Sequence, residues 1–258
     1  MFERIKDRLA RNELILAAGV GRVAHRNLLQ IIGIQGGFHA LWFDHEHVGI
    51  STEDLEVGTM AARSQGLDCF VRVAPTDYAL VTRCLEAGGG GVMAAQISSA
   101  EQAEQFVRWS KFHPRGNRGL NAGGWDAQFA SIPITEFCEK ANRESFVAIQ
   151  IETRPAVEQA ADIAAIDGVD MLFVGPSDLS QAFGVTGKFF DQQCLDAIDQ
   201  VAAACQQHGK HWGAVCLNPE HADMLIDKGC KMLSPASDVK IINAGIAAIK
   251  QQYSKYFA

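Results

Sequence analysis

Short runs of Val, Ile, Leu and Phe alternate along the chain with longer stretches in which apolar residues recur every three or four positions. The runs occupy residues 14–18, 40–44, 69–73, 91–95, 146–151, 171–175, 211–215 and 231–234. Nearly continuous apolar character is what a strand covered on both faces requires, so each run predicts a buried parallel strand. The periodic stretches predict helices over residues 26–34, 52–65, 78–87, 99–112, 155–166, 191–207, 219–228 and 238–252. Parallel neighbours must be joined by a crossover, and eight strand–helix pairs in succession predict a TIM (β/α)8 barrel that takes in residues 1–258 as one domain. An open doubly wound sheet is the alternative compatible with the same count.

Helix punctuation agrees with these boundaries. Ser99 with Gln102 has capping-box spacing, Ser51 precedes a first turn carrying Glu53 and Asp54, and Gly66, Gly88, Gly209 and Gly229 follow helices. One stretch breaks the rhythm: residues 114–133, with Gly116, Gly119, Gly123 and Gly124. Long loops in compact domains carry function, so this one is expected to overhang the active site.

Composition narrows the range of partners. With 23 basic against 30 acidic residues the 258-residue chain has a formal charge of −7 and no basic tract, which excludes nucleic acid and anionic membranes and points to a small molecule. The seven cysteines are scattered and never spaced Cys-x-x-Cys, which fits a reduced cytoplasm rather than a disulfide framework or a zinc ribbon. The N-terminal MFERIKDRLARNE is charged where a signal peptide would be apolar, and no run is long enough to span a bilayer. A soluble, cytoplasmic protein is expected.

Barrel chemistry collects at the C-terminal ends of the strands. The second run ends in Asp44-His45-Glu46-His47, the third carries Arg72, the fifth Gln150 and Glu152, and the sixth is followed by Ser177 and Asp178. Glu152 and Asp178, from neighbouring strands, suit a hard divalent cation that keeps positions for water and substrate oxygens; either alone is as well suited to capping the next helix. A guanidinium on an apolar strand needs a counter-ion, and for Arg72 that is an anionic substrate or the carboxylates of Asp44 and Glu46. His47 can serve as general base, metal ligand or packed core residue, and of His45 and His47 one is expected at the mouth and the other packed away. The His-x-His spacing also occurs in binuclear zinc hydrolases, but these need further histidines at later strand ends. Residues 146–178 contain none, and His211 begins its strand. No lysine stands where it could form a Schiff base: strands two to six contain none, and Lys231 begins the eighth.

The segments GFHALWFDHEH, FVRV, LEAGGGGVMAAQISSAEQAE, HPRGNRG, VAIQIET and DMLFVGPSDLS resemble those of the HpcH/HpaI aldolase and citrate lyase family, the class II pyruvate-dependent aldolases, in the family's order between residues 36 and 235. The resemblance implies a TIM barrel and a divalent ion, Mg²⁺, Mn²⁺ or Co²⁺, with no organic cofactor. It also implies cleavage of a 4-hydroxy-2-oxo acid to pyruvate, or a close 2-oxo acid, and an aldehyde. It places proton transfer at His47, stabilisation of transition-state charge at Arg72, metal ligation at Glu152 and Asp178, and substrate contacts at Gln150 and at Gly175, Pro176 and Ser177. Asp44 and Glu46 then orient His47 or Arg72, and His45 is structural. Where the family has Leu-Asp-x-Gly, whose aspartate raises the basicity of the histidine, this chain has Leu85-Glu86-Ala87-Gly88, which assigns that part to Glu86. The family further implies a homo-oligomer, commonly a hexamer built as a trimer of dimers, with the helix at residues 238–252 exchanged between subunits. Two other activities are compatible: an acyl-CoA lyase of the citramalyl or malyl type, for which Arg115 and Arg118 are the basic residues at hand, and a non-catalytic protein that binds a 2-oxo acid.

Overall fold

A computed structural model describes residues 2–257. Eight parallel strands, β1 (Ile15–Val20), β2 (Ala40–Asp44), β3 (Asp68–Val73), β4 (Gly91–Ala94), β5 (Phe146–Ile151), β6 (Met171–Val174), β7 (His211–Val215) and β8 (Met232–Ser237), pair in sequence order. The pairing of β1 with β8 closes the barrel, so the open doubly wound sheet is excluded. The strands are ringed by α2 (Arg26–Gln35), α3 (Thr52–Ser64), α4 (Tyr78–Glu86), α5 (Ala100–Ser110), the pair α7 (Arg154–Glu158) and α8 (Ala160–Ala165), α10 (Gln192–Gln207) and α11 (Pro219–Asp227), while α12 (Asp238–Gln252) follows β8 and is exposed beyond its first turn. Three helices lie outside that repeat: α1 (Ile5–Ala10), α6 (Ile134–Glu144) and α9 (Pro176–Ala182).

Strand parity sorts the apolar residues into two separate cores. Leu41, Phe43, Val71, Val92, Ile149, Leu172 and Leu233 face outward and pack under the helices. Ala40, Trp42, Phe70, Met93, Phe146, Ala148, Met171, Phe173 and Met232 face inward and fill the barrel, with Phe70 and Phe146 edge to face at 5.4 Å. The N-terminal segment, expected only as a charged lead-in, forms α1, whose Ile5 and Leu9 plug the lower end of that inner core. Buried Asp68 holds the plug by accepting the Ile5 amide at 2.9 Å.

Differences from the expected elements have local causes. β1 runs past its expected end at Ala18 to Val20, and Gly19 leaves room for the Trp42 ring, from which an added Cβ would stand 3.0 Å. β8 passes Pro235, which cannot donate to the ladder, by a register shift: Leu16 pairs Leu233 but Ala18 pairs Ala236. The helix expected over 155–166 breaks at Gln159. α6 was missed, although Ile134, Phe137, Cys138 and Ala141 have helical spacing.

The loop at residues 114–133 does not overhang the strand ends of its own barrel. It follows α5, so it lies at the lower rim, where Trp125 stacks on Arg63 at 3.7 Å and Asn121 donates to Glu86 at 3.2 Å. No helix among the described residues is long and apolar enough to cross a membrane. All seven cysteines are free thiols, and burial pushes Cys84, Cys205 and Cys230 up to about 12, which makes them unreactive.

The inner core sets the stability of the barrel. Phe70→Ala removes a fully buried ring from its centre and is expected to cost about 3–5 kcal/mol in urea unfolding; a loss under about 1 kcal/mol would show that the inner core is not close-packed.

Candidate active site

Above the inner core the same inward-facing positions turn polar. On β2 Trp42 is followed by Asp44, on β3 Phe70 by Arg72, and on β5 Ala148 by Gln150 and then Glu152. Arg72, 7% exposed, is held from three directions. Asp44 grips it as a fork, with Nη2–Oδ2 at 2.9 Å and Nε–Oδ1 at 3.2 Å; Glu46 Oε2 lies 3.2 Å from Nη1; and the Trp42 ring lies beneath the guanidinium at 4.8 Å. Trp42 is itself fixed by a 2.9 Å hydrogen bond from Nε1 to Ser234 Oγ.

Asp44 also shapes the turn after β2. Its Oδ1 accepts the amides of Glu46 at 3.1 Å and His47 at 3.2 Å, which curls the chain out of the strand. The two histidines then part because the chain has left the strand at Asp44; residues two apart in a continuing strand would share a face. His45 lines a cavity with Ile50, Leu55, Leu80 and Cys84 between the outer helices. His47 stands 59% exposed at the mouth, its Nε2 3.7 Å from Glu46 Oε2.

Glu152 is the most enclosed acid of the mouth, 1% exposed. Its Oε1 accepts the amide of Gln96 at 2.7 Å and its Oε2 accepts Gln150 Nε2 at 2.6 Å. Gln96 presents that amide from a left-handed conformation, φ 52°. Burial, with the nearby charges of Glu46 and Asp178, pushes the Glu152 carboxyl up to about 7 against the opposing pull of the Gln96 amide and Arg72. Gly175 completes this wall: a Cβ there would lie 2.5 Å from Glu152 Oε2 and 2.6 Å from Gln150 Nε2. Pro176 opens α9, Ser177 is exposed, and Asp178, third in that helix, makes no side-chain hydrogen bond among the described residues, so it does not act as a cap.

The donor set fits a divalent cation. Two neighbouring carboxylates, Glu152 and Asp178, repel each other on one side of the mouth, and Gln150 Oε1 is buried there without a hydrogen bond. Among the described residues no three of His, Cys, Asp and Glu converge on one point, so Glu152 and Asp178 would leave most of the coordination sphere to water and substrate.

Glu86 is not brought to this mouth. It ends α4 at the lower rim, in a groove of about 620 Å³ shared with Met60, Arg83, Asn121, Trp125 and Phe129. Arg115, paired with Glu104 and Asp167, and Arg118, paired with Asp126, also lie at that end, so neither offers a basic rim to coenzyme A at this barrel's own mouth. The largest cavity described, about 650 Å³, is on the same side, and its Lys210, Lys228 and Lys231 are occupied by Val169 O, Asp199 and Asn12 O. Sequence reasoning did not single out Trp42, Ser234 or Gln96. Trp42 had a visible signal, an indole at an inward position two residues before Asp44, whereas Gln96 acts through its backbone and leaves none.

A closed parallel barrel whose mouth gathers a clamped arginine, an exposed histidine and paired acids is that of an enzyme acting on a small anion. The chain belongs to the HpcH/HpaI aldolase/citrate lyase family, whose family model matches residues 26–244. It is 32% identical to a 4-hydroxy-4-methyl-2-oxoglutarate aldolase of Hapsidospora irregularis, over 81% of this chain and 78% of that one. It is 27% identical to a 5-keto-4-deoxy-D-glucarate aldolase of Klebsiella pneumoniae, over 88% of this chain and 87% of the other. Among solved structures, an HpcH/HpaI aldolase from Desulfitobacterium hafniense superposes with a TM-score of 0.89 at 26% identity, covering 96% of each chain.

A carboxyl raised to about 7 favours the fold while protonated, so its contribution is full below the ordinary carboxylate range and is lost as pH rises through 7. In chelator, the wild type is therefore expected to lose urea stability from about pH 4.5 to 7 by more than Glu152→Gln does. Parallel profiles for the two proteins would show that Glu152 is not protonated in the metal-free site.

Proposed function

We propose that this chain is a divalent-metal-dependent aldolase that reversibly cleaves a 4-hydroxy-2-oxo acid into pyruvate, or a close 2-oxo acid, and an aldehyde. The observation that carries the reading is the opposition, across one mouth, of a buried acid wall, Glu152 beside Asp178, to the clamped Arg72. Curated relatives named as oxo-acid aldolases support it.

Mg²⁺, Mn²⁺ or Co²⁺ held by Glu152 and Asp178 would supply a Lewis acid for the carboxylate and keto oxygens of the substrate. The remaining steps fall to the chain's own residues. In cleavage His47 takes the proton of the 4-hydroxyl, the C3–C4 bond breaks, its electron pair forms the C2=C3 bond as the keto π pair moves to oxygen, the aldehyde departs, and a proton from solvent added at C3 turns the enolate into the 2-oxo acid. In condensation His47 returns that proton. Arg72 sets positive charge beside the keto oxygen as it becomes an enolate oxygen, and Asp44 and Trp42 hold the guanidinium so that it need not reorganise. Gln150 aligns Glu152, and Gln150 with the turn Gly175-Pro176-Ser177 lines the side where the acid's carboxylate would bind. Exposed His47 leaves the aldehyde side open to solvent or to another subunit.

The working unit in this reading is a homo-oligomer. Asp238 is the one buried residue of α12, while Ile242, Ile246, Ile249 and Tyr253 are exposed along it. An apolar helix that leaves its own barrel is stable when it docks on another copy.

Two measurements test the reading. Release of pyruvate from 4-hydroxy-2-oxo acids should stop in chelator and return with Mn²⁺, and His47→Ala or Arg72→Ala should each lower kcat by about a hundredfold or more; turnover that survives chelation would refute it. The double substitution Ile246→Lys with Ile249→Lys should reduce the assembly mass in sedimentation, whereas an unchanged mass would remove α12 from the subunit contact.

A further inference from the structure

The last strand-to-helix junction is built around a buried acid that the chemistry above does not use. Asp238, first residue of α12 and 3% exposed, accepts three backbone amides: Gly21 at 2.9 Å and Val23 at 2.6 Å on Oδ2, and Val239 at 2.8 Å on Oδ1. Two of the three belong to the loop between β1 and α2, and that loop leans on the turn after β2. A Cβ on Gly21 would lie 3.0 Å from Val48 Cγ2 and 3.4 Å from Asp44 Cβ, so the loop and the turn are already in contact. From the residue between the two bound amides, Arg22 reaches across and donates from Nη2 to the carbonyl of His47 at 3.0 Å.

His47 has little else to hold it. Its side chain is 59% exposed, and its contacts on the other side are the Asp44 carboxylate to its amide and a 3.7 Å approach to Glu46. A charge-assisted bond to a backbone amide is stronger than a neutral one, and the two that Oδ2 accepts from Gly21 and Val23 fix the loop as a helix cap fixes a first turn. We propose that Asp238 is a positioning residue for His47, acting through the amides of Gly21 and Val23 and the reach of Arg22. The buried root of α12 thereby ties the placement of that helix to the placement of the proton-transferring group. This rests on the aldolase reading.

The test uses the full-length protein loaded with Mn²⁺. Asp238→Ala and Arg22→Ala should each lower kcat for 4-hydroxy-2-oxo acid cleavage about ten- to a hundredfold, the range expected when a reacting group is displaced without being removed. Affinities for Mn²⁺ and for oxalate, a planar mimic of the pyruvate enolate, should stay within about twofold of wild type in calorimetry, since Glu152, Asp178 and Arg72 are untouched. Asp238→Asn keeps one acceptor oxygen and should fall between wild type and Asp238→Ala. An unchanged kcat in Arg22→Ala overturns the inference, as does a fall in both affinities alongside kcat, which marks a merely structural role. Should Asp238→Ala fail to fold, exposed Arg22 decides alone. A wild type that binds Mn²⁺ and oxalate yet turns over no aldol substrate fails the aldolase reading itself, whereas active wild type with unaffected variants fails only the role of Asp238.

Discussion

Four carboxylates, of Asp44, Glu46, Glu152 and Asp178, share the barrel mouth with the guanidinium of Arg72, and the rest of the site follows from that imbalance. Arg72 pairs with both Asp44 and Glu46 but offsets only one of their two charges. Glu152 and Asp178 are left over, on the opposite strands, and burial makes the charge of Glu152 costly. Such a surplus can be met by a proton, which the rise of Glu152 to about 7 expresses, or by a cation, which would favour the charged form of Glu152. In the reading proposed above, proton and metal would compete for that one wall of the mouth. Arg72 cannot take the metal's place, because removing either partner of its fork leaves a buried charge unpaired, at about 3–5 kcal/mol.

Both the fold and much of this wall were legible because a barrel strand has a period of two and nothing else to satisfy. Once Ala40, Trp42 and Asp44 are assigned to one face, Leu41 and Phe43 must lie on the other, and the same parity carries through Phe70 and Arg72, then Ala148 and Gln150. The expected strand ends at Asp44, Val73, Ile151 and Val215 match the observed ones for this reason. Where strands run past their expected ends at Ala18 and Ser234, the reason lies on another strand. Gly19 is needed by a tryptophan ring on the next strand, and Pro235 sits at a register shift against β1. Neither reason is local, so neither can be found in a window of neighbouring residues.

The loop at residues 114–133 shows a different limit. Its glycines rightly mark irregular chain, but which rim it occupies is decided by direction: it follows a helix, and helices in this fold descend from the mouth. Glu86 shares that fate, as the last residue of α4 beside Asn121. Composition and motif matching place residues in a family's order without placing them at an end of the barrel. The sense of each element does that, and it could have been read from the alternation of strand and helix alone.

Gly175 and Gly19 make a complementary point about how close packing enters function. Each stands where a side chain of the site passes within contact distance of the backbone: Glu152 and Gln150 over Gly175, the Trp42 indole over Gly19. Neither has a left-handed conformation to justify it, so the absence of a Cβ is about space and not about backbone freedom. The acid wall and the arginine clamp are thus each backed by a glycine on an adjacent or nearby strand. A methyl group at either would act on the mouth from behind, through Glu152 in one case and through Trp42 to Arg72 in the other. Both positions belong to the candidate site as much as the residues that line the mouth.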